Sequence, residues 1–423
     1  MSSVNEATVR ERTDDLQEES TPSVFKNRNF LLLWGAALLS SFGISFFLFS
    51  QSWYVVNVLN LEASLGLIYI AASIPRLLFM IISGTVADRY DKTKIMFLSD
   101  FIRGLLLAGL VLWFLFGSIT LWTFVGFAFF FGILDAFFWA AESAIIPSIV
   151  QKENLTRGNS IIQMTNQTSF ILAPMLAGLL IAYGNYEIVF AVTAAMLLTA
   201  SLLVISMKPK KDAEMEANKN KKFWKTFREG VTYVKDSRLL TLIVLATIFL
   251  NLFIVGPMTM GLPLFVKNIL EGTAVDFSFL EAGLAGGMLI GSIVIGSLNV
   301  TKKRGKLTLL TLVLSGIAFI GLSFTTELWQ SMVMLGLFGT FLSISNISSI
   351  SAIQSMIEEK VLGRVMGLIS LASMGLIPVS YALTSAVLSL GISIHHIMAA
   401  GSILVTLFAS FVFLTFKELR ELD

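Results

Sequence analysis

The stretch GTVADRYDKTK, from Gly84 to Lys94, places five charged residues among eleven in a chain that is 55% hydrophobic and 14% charged. Two apolar runs flank it, SIPRLLFMIIS before and IMFLSDFIRG after. Because charged side chains are costly in the hydrocarbon core of a bilayer, this pattern is typical of a tight turn between two membrane-spanning helices. The number of apolar runs separated by charged turns along the chain therefore predicts the number of membrane spans.

The composition of the whole chain is that of an integral membrane protein. Its 423 residues include 35 Phe and no Cys, and the mean hydropathy is +0.81. Soluble domains carry about 25% charged residues. Without cysteine, a disulfide or a thiolate metal site is excluded. The polar N-terminal segment lacks the pattern of a signal peptide, so we expect a disordered cytoplasmic tail.

Apolar windows predict an all-α membrane protein with twelve transmembrane helices in two six-helix bundles. Each window is close to the roughly 20 residues that a helix needs to cross a bilayer, and continuous apolar runs exclude the alternating strands of a membrane barrel. The predicted spans lie near 29–57, 64–87, 95–116, 119–146, 158–183, 186–207, 238–266, 275–299, 306–324, 329–352, 363–389 and 394–416.

The same windows predict how the chain is divided. We expect a tail at 1–28, an N-terminal bundle at 29–207, a linker at 208–237, a C-terminal bundle at 238–416 and a cytoplasmic C-terminus at 417–423. Apolar residues recur at helical spacing in the second part of the linker, between Lys and Arg residues. This pattern favours an amphipathic helix on the cytoplasmic membrane surface. A solvated linker is the alternative.

The distribution of basic residues predicts that both termini are cytoplasmic. Of the 30 Lys and Arg residues, all but Arg76, Arg103 and Lys267 fall in tails and loops that share one side of the twelve-span arrangement. Basic residues resist translocation and therefore remain on the cytoplasmic side. The segment GTVADRYDKTK is then the cytoplasmic turn between spans 2 and 3.

The two halves of the chain resemble each other at a spacing of about 207 residues. IPSIVQKENLTRGNSIIQ begins at Ile146 and IQSMIEEKVLGRVMGLIS at Ile353, which aligns Arg157 with Arg364. The opening turn has a counterpart in GSIVIGSLNVTKKRGK, residues 291–306. Parallel six-helix halves are a transporter architecture in which the substrate site lies between the halves near the membrane midplane.

Three sets of residues resemble the major facilitator superfamily, and the resemblance covers the chain apart from its N-terminal tail. GTVADRYDKTK is similar to the signature loop between spans 2 and 3, with Asp91 where glycine is usual and Thr93 where a basic residue is common. SFILAPMLAG, residues 169–178, resembles the proline motif of antiporter branches, with Ser and Ala at positions that are usually glycine. SIPRLLFMIISGTVADRYDK, AESAIIPSIVQKENLTRGN and FREGVTYVKDSRLL look most like the branch of macrolide-efflux and enterobactin-export proteins.

The resemblance implies a conformational latch at the cytoplasmic turn. In the family, the acidic residue at the position of Asp88 contacts the N-terminal end of span 11. Unpaired N–H groups at a helix N-terminus favour a carboxylate by roughly 0.3–1 kcal/mol. The expected latch residues are Gly84, Asp88, Arg89, Lys92 and Arg364. The alternative is that these charges only fix the topology.

Two carboxylates in span 4 are candidates for proton coupling. Ionisable residues inside a membrane span are functional candidates by default. Asp135 lies well inside the span, and Glu142 follows seven residues later on the same helical face. Because low-dielectric surroundings favour the protonated form of a carboxylate, we expect both groups to exchange protons during transport.

Other charged residues within the spans have expected partners or positions. Arg76, near the middle of span 2, could pair with a carboxylate of span 4 or bind an anionic group of the substrate. A static ion pair that only holds spans 2 and 4 together is the alternative. Asp100 and Arg103 are three residues apart in span 3 and can pair with each other. Glu281, early in span 8, is expected near the outer surface.

Polar residues in several spans are the candidate lining of a substrate cavity. These residues are Arg76, Asp135, Gln163, Asn166 and Asn346. A hydrogen-bond network between helices accounts for the two amides of span 5 and for Asn346 equally well. Pro174 and Pro378 are candidate bending points, because proline removes a backbone hydrogen bond. Gly283, Gly287 and Gly291 recur at four-residue intervals, which predicts close packing of span 8 against another helix.

No metal or cofactor is expected. His395 and His396 lie near the outer end of span 12 and are interpreted as interfacial residues. The sequence has no phosphate-binding loop of the Gly-x-x-x-x-Gly-Lys-Ser/Thr type, so ATP hydrolysis is not expected. The expected partners are a small-molecule substrate, protons and the lipid bilayer, without nucleic acid, and the expected oligomeric state is a monomer.

The sequence therefore favours a secondary active exporter in a bacterial inner (plasma) membrane. The resemblance implies export of hydrophobic or amphipathic molecules of the macrolide or multidrug type, as in antibiotic resistance, by proton antiport. Export of one endogenous product, such as a siderophore, a peptide antibiotic or a lysolipid, is the main alternative. A membrane-embedded enzyme would need a nucleophile–base pair or a metal cluster, and a receptor would need an extramembrane signalling domain. The sequence offers no candidate for either.

Overall fold

The structure, a computed structural model, describes residues 24–117, 119–151, 154–208, 232, 234–235, 237–298, 300, 302–357 and 359–420. The predicted N-terminal tail and most of the predicted linker lie outside these residues. The amphipathic helix of the linker therefore stays a prediction.

Within the described part of the chain, twelve helices are long and apolar enough to cross a membrane, which confirms the predicted fold class. The first six are α1 (Arg28–Asn57), α2 (Leu65–Arg89), α3 (Lys92–Phe116), α4 (Leu121–Ile149), α5 (Leu155–Tyr183) and α6 (Tyr186–Ile205). The second six are α7 (Arg238–Leu250 and Gly256–Asn268, joined by a π-helical turn at Asn251–Val255), α8 (Ala274–Leu298), α9 (Arg304–Leu322), α10 (Leu328–Met356), α11 (Glu359–Gly375 and Ile377–Ser389) and α12 (Ile394–Thr415). The described residues contain no β-strand.

The second six helices repeat the packing of the first six. In the first half α2 packs against α4 and α3 packs against α6, and in the second half α8 packs against α10 and α9 against α12. Each pair of the second half is offset by six helices from a pair of the first. This correspondence agrees with the repeat seen in the sequence.

The turn between α2 and α3 is as short as the sequence predicts. Helix α2 ends at Arg89 and α3 begins at Lys92. Asp91 is the N-cap of α3, since its Oδ1 accepts hydrogen bonds from the backbone N–H of Thr93 at 3.0 Å and from the Thr93 hydroxyl at 2.5 Å. An aspartate at this position satisfies one of the otherwise unpaired N–H groups of the first turn. The two departures from the family's signature loop, Asp91 and Thr93, thus form one local structure.

The predicted glycine stripe of α8 packs directly on α10. A Cβ atom built on Gly287 would lie 2.0 Å from the carbonyl oxygen of Gly336. The α2–α4 pair of the first half is equally close at another position, because a Cβ on Gly132 of α4 would lie 2.0 Å from the carbonyl oxygen of Ala72 in α2. Small residues let helix backbones approach at this distance in membranes.

The two halves contact each other at the outer ends of their helices, that is, on the predicted extracellular side. Nζ of Lys267, at the end of α7, donates to the backbone carbonyl of Val56 and to Oδ1 of Asn60, both at 2.7 Å, and lies 3.4 Å from Oε1 of Glu62. Nδ2 of the neighbouring Asn268 donates to Oε2 of Glu62 at 3.0 Å. These polar contacts hold the end of α7 against the end of α1 and the segment between α1 and α2.

Candidate functional site

A cavity of about 1010 Å³ lies between the two halves. Ligand pockets typically measure about 300–1,000 Å³, so this cavity can hold a drug-sized molecule. Helices α1, α2 and α5 line it from the first half, and α7 to α12 line it from the second. Most of the lining side chains are apolar, and neutral polar groups such as Asn251, Thr259 and Asn346 lie between them.

The cavity extends from the middle of the molecule toward the predicted cytoplasmic side. Its lining includes Leu242 near the start of α7, Gly305 near the start of α9 and Ala352 near the end of α10. All three positions lie at the predicted cytoplasmic ends of their helices. At the other end the cavity reaches Tyr69 of α2 and Glu281 of α8.

A layer of aromatic and polar contacts separates the cavity from the outer side. The rings of Tyr69 and Tyr381, one from each half, stack with centroids 4.9 Å apart. The Tyr69 hydroxyl forms a hydrogen bond with Ser52 at 2.7 Å. Ser385 of α11 donates to the backbone carbonyl of Ala63. This layer and the contacts of Lys267 close the outer side in the conformation described.

A second constellation, a charge cluster whose Asp100 and Arg103 side chains are fully buried, lies within the first half. Nε of Arg76 lies 3.0 Å from Oδ2 of Asp135, and Nη2 of Arg103 lies 3.2 Å from Oδ1 of the same carboxylate. Nη1 of Arg103 lies 3.3 Å from Oδ1 of Asp100, which also accepts a hydrogen bond from Ser40 at 3.1 Å. The pairing of Asp100 with Arg103 is confirmed, and Asp135 connects two arginines from two different helices.

Arg103 is the centre of this cluster. Its side chain is fully buried, and its guanidinium lies 5.9 Å from the ring centroid of Phe131 and 5.5 Å from that of Phe138. An arginine between aromatic faces gains cation–π attraction in addition to its ion pairs. Nε of Arg103 and Oδ2 of Asp100 have no hydrogen-bond partner among the described residues.

Glu142 is a further member of the charge cluster. It is 7% exposed and lies near enough to Asp100, Asp135 and Arg103 for their charges to act on it. It forms no ion pair with the described residues. The cluster thus has three carboxylates, those of Asp100, Asp135 and Glu142, for two guanidinium groups.

The residues predicted to line a cavity fall in different places. Asn346 lines the central cavity. Arg76 and Asp135 are not among the lining residues and belong instead to the charge cluster. Asn166 accepts a hydrogen bond from Ser41 at 2.5 Å, which ties α5 to α1. Gln163 is exposed on α5, and its neighbour one turn along, Gln167, lines the cavity in its place.

The predicted latch residues lie at the open end of the molecule. Asp88 and Arg89 are exposed, and Asp88 forms no ion pair or hydrogen bond with the rest of the described chain. A Cβ on Gly84 would meet nothing within 4 Å. Lys92 begins α3, and Arg364 lies in the first segment of α11, its side chain outside the described part. Asp88 therefore makes no latch contact with the described residues, and the side chains at the start of α11 lie outside them.

The two predicted bending points differ in their local structure. Pro174 lies inside the continuous helix α5, whereas Pro378 follows the interruption of α11 at Leu376. Ser380 in the second segment of α11 connects this interruption to α7. Its hydroxyl donates to the carbonyl of Leu252 at 2.7 Å and accepts from the N–H of Gly256 at 2.8 Å, at the π-helical turn. Such turns are frequent at functional sites.

Three residues that the structure makes prominent were absent from the predicted site. Arg103 was assigned only its local partner, because its contact with Asp135 depends on how α3 packs against α4. Lys267 was noted only as an exception to the charge distribution, although a single basic residue on the outer side was a signal. Glu281 was expected near the outer surface, and this is corrected: it lines the central cavity two helical turns inside α8.

No group of three or more potential metal ligands occurs among the described residues. His395 and His396 lie side by side at the start of α12, with ring centroids 3.9 Å apart. Nδ1 of His396 forms a hydrogen bond with Ser393 at 2.8 Å.

Comparison with known proteins gives one family model and similar transport proteins. The model of the Major Facilitator Superfamily matches residues 33–380. Macrolide efflux protein A of Streptococcus pyogenes is 23% identical over 403 residues, covering 93% of this chain and 97% of that protein. Enterobactin exporter EntS of Shigella boydii serotype 4 is 28% identical over 298 residues, covering 68% of each protein.

A solved structure has the same fold. The crystal structure of the nucleoside transporter NupG matches with a TM-score of 0.76 at 13% identity, covering 92% of this chain and 100% of that chain. At this identity the similarity concerns the arrangement of helices and not the molecule that is transported.

Proposed function

The chain belongs to the major facilitator superfamily, and we therefore propose that this transporter is a secondary active exporter of hydrophobic or amphipathic small molecules, exchanged for protons by alternating access. It is a multi-pass protein of the bacterial inner membrane, as its twelve spans and its bacterial relatives indicate. Similarity to a macrolide efflux protein over nearly the whole chain favours the macrolide or multidrug type of substrate.

The observation that carries the proposal is the central cavity. Its size suits a drug-sized molecule, and its mostly apolar lining suits a hydrophobic or amphipathic one. Four lining residues, Met258, Met288, Phe49 and Phe170, add deformable or aromatic surface. Methionine adapts to irregular shapes, which favours a site that accepts several related molecules.

Alternating access is supported by the asymmetry of the contacts between the halves. In the conformation described, the outer side is closed by the Tyr69–Tyr381 layer and by Lys267, and the cavity extends toward the other side. A substrate could enter this state from the predicted cytoplasm. Opening the outer contacts and forming the latch at Asp88 would then present the same cavity to the outside.

Proton exchange is supported by the charge count of the cluster. When ionised, three carboxylates face only two arginines. An uncompensated charge away from water is costly, so one bound proton makes the cluster neutral. Asp135 and Glu142 are the groups we propose for this proton, because Asp135 contacts both arginines and Glu142 has no ion pair within the described chain.

The test is efflux from cells that produce the protein. Cells would be loaded with ethidium, a fluorescent cationic dye, or with the macrolide erythromycin, and efflux would be recorded with and without a protonophore. We expect efflux of both compounds and its collapse with the protonophore. Normal membrane expression without efflux of either compound would contradict export of the multidrug type.

Export of a single endogenous product is the second candidate, because the chain is also similar to an enterobactin exporter. A dedicated exporter would not transport the two unrelated compounds above. Deleting the gene would instead make one metabolite accumulate inside the cell. Metabolite profiling of the deletion strain therefore separates the two candidates.

A further inference from the structure

Glu281 differs from every other residue of the cavity wall. It is the single residue with a charged side chain among the described residues that line the cavity. The rest of the described lining is apolar or carries neutral hydroxyl and amide groups. The wall therefore has a single carboxyl group, on α8.

The Glu281 carboxylate also has no counter-ion within the described part of the protein. The ion pairs within that part involve Arg76, Arg103 and Lys267, and none of them includes Glu281. The acids of the charge cluster are different in this respect, because Asp100 and Asp135 are each paired with arginine.

The position of Glu281 places this carboxylate at the closed end of the cavity. It lies seven residues after Ala274, the first residue of α8, which corresponds to a depth of about 10 Å along the helix axis. Tyr69, which stacks on Tyr381 in the closing layer, lies near enough to interact electrostatically with it. A molecule that fills the cavity from the open side would meet Glu281 at the end of its path.

We propose that Glu281 is the residue that determines charge selectivity, by binding the cationic group of an amphipathic substrate whose apolar part contacts the rest of the wall. A bound cation stabilises the ionised form of a carboxylate that has no counter-ion in low-dielectric surroundings. The carboxylate in turn offsets part of the free energy that the cation loses when it leaves water. An anionic substrate would not stabilise the ionised form of this group. The preferred substrates are therefore lipophilic monocations, such as molecules with a tertiary amine or a quaternary centre.

This inference rests on the proposed function and is tested by binding, which does not need coupled transport. The probes are tetraphenylphosphonium, a permanent lipophilic cation, and triphenylphosphine oxide, a neutral molecule with similar aromatic surface. Binding of each to the purified full-length protein would be measured by equilibrium dialysis. The variants are Glu281→Gln, which removes the charge and keeps the shape, and Glu281→Asp, which keeps the charge.

A matched control is available in the same half of the protein. Glu327 precedes α10 at the outer side, is exposed, and has no ion pair within the described chain. Glu327→Gln removes the same charge from outside the cavity. We expect it to bind both probes as the wild type does.

The expected result is a loss that depends on the charge of the probe. Glu281→Gln should bind tetraphenylphosphonium about 10- to 100-fold more weakly, because the attraction between the two opposite charges is lost. Its binding of triphenylphosphine oxide should not change, which a merely structural role of Glu281 would not predict. Glu281→Asp should keep the preference for the cation, and this variant tests the proposal even if Glu281→Gln does not fold.

Two results would overturn the inference, and they differ in what they imply for export. If the wild type and Glu281→Gln bind both probes alike, charge selectivity does not come from Glu281, while a cavity for apolar substrates stands. If the wild type binds neither probe, both the role of Glu281 and the proposed multidrug function are contradicted.

Discussion

Arg103 shows how a single residue can hold a membrane-embedded cluster together. It contacts Asp100 on its own helix and Asp135 on α4, and its guanidinium lies over two phenylalanine rings. Removing one partner from a buried ion pair leaves the other charge uncompensated. Arg76, by contrast, contacts Asp135 with a side chain that is 37% exposed.

We therefore predict a strong difference between two arginine substitutions. Arg103→Met should lower the free energy of unfolding by about 3–5 kcal/mol, the usual cost of breaking a buried pair. Arg76→Met should cost less, because Asp135 keeps its second ion pair, with Arg103. Melting temperatures of the purified variants in one detergent measure the difference. Equal melting temperatures would show that Arg103 does not organise the cluster.

A second prediction for a single residue concerns Asp135 and the coupling of transport to protons. Asp135→Asn keeps the hydrogen-bonding shape of the side chain and removes the carboxylate that contacts both arginines. We expect gradient-driven efflux to fall about tenfold or more, which corresponds to a loss of about 1.4 kcal/mol in coupling free energy. Exchange of labelled for unlabelled substrate across the membrane, which needs no protons, should continue.

The control for Asp135→Asn is Glu142→Gln, measured in the same two assays. Loss of driven efflux in Glu142→Gln alone would move the coupling group to Glu142. If both variants retain proton-dependent efflux, the cluster is structural and the proposed coupling site is wrong.

At the scale of helices, close packing depends on particular glycines, and the space around two adjacent glycines of α8 differs. Gly287 of α8 faces the backbone of α10, whereas a Cβ atom on the adjacent Gly286 would meet nothing within 4 Å. The two residues lie on the same helix and have the same chemistry. Only the first can be required for the α8–α10 contact.

We predict opposite outcomes for alanine at these two positions. Gly287→Ala should destabilise the protein by about 1–3 kcal/mol, because the new Cβ overlaps the Gly336 carbonyl and the helices must separate. Gly286→Ala should be neutral or stabilising by up to about 1 kcal/mol, since alanine favours a helix. Thermal unfolding of both variants decides the point, and a stable Gly287→Ala protein would contradict the packing described.

The helices themselves could be predicted from sequence, but their interruptions could not. Span 4, for example, was predicted at 119–146 and observed at Leu121–Ile149, because the length of an apolar run is read directly from the residues. The π-helical turn of α7 depends on Ser380, a residue 128 positions after its hydrogen-bond acceptor Leu252. No local pattern reports a partner so distant in sequence.

Some contacts of the site residues could likewise be predicted from the sequence, and others could not. The Arg76–Asp135 pair was one of the interpretations that the sequence allowed, since both are charged residues within spans of the same half. The second contact of Asp135, with Arg103, follows from the register between α3 and α4, which hydropathy does not specify. The depth of Glu281 was misjudged because α8 begins at Ala274 and contributes its first two turns to the contact region between the halves.

At the scale of the whole molecule, the contacts between the halves define the conformation. Lys267 joins the second half to three groups of the first half at the outer side. On the opposite side Asp88, the centre of the proposed latch, is exposed. The balance between these two sets of contacts should set which side is open.

We predict that Lys267→Met shifts this balance toward opening of the outer side. The chain has no Cys, so spin labels can be attached to cysteines introduced at Phe116 and Leu390, exposed residues at the outer ends of α3 and α11. Electron–electron distance measurements should show, in Lys267→Met, a population with a longer distance between the two labels than in the wild type. Asp88→Asn should shift the distribution in the opposite direction and should lower transport.

Lys302→Met provides the control for this experiment. Lys302 is exposed near the start of α9 on the predicted cytoplasmic side, so its removal should leave the outer distances unchanged. An unchanged distribution in Lys267→Met would show that its contacts do not stabilise the closed outer side.

The central claim, exchange of substrate for protons, is tested most directly in proteoliposomes that contain a pH-sensitive dye. Ethidium would be added outside with no pH gradient and with the membrane potential clamped. Its permanent charge prevents it from carrying a proton itself. The account predicts that protons leave as ethidium enters, so that the internal pH rises in the presence of the wild-type protein and not with Asp135→Asn. Normal ethidium uptake without any change of internal pH would contradict proton antiport.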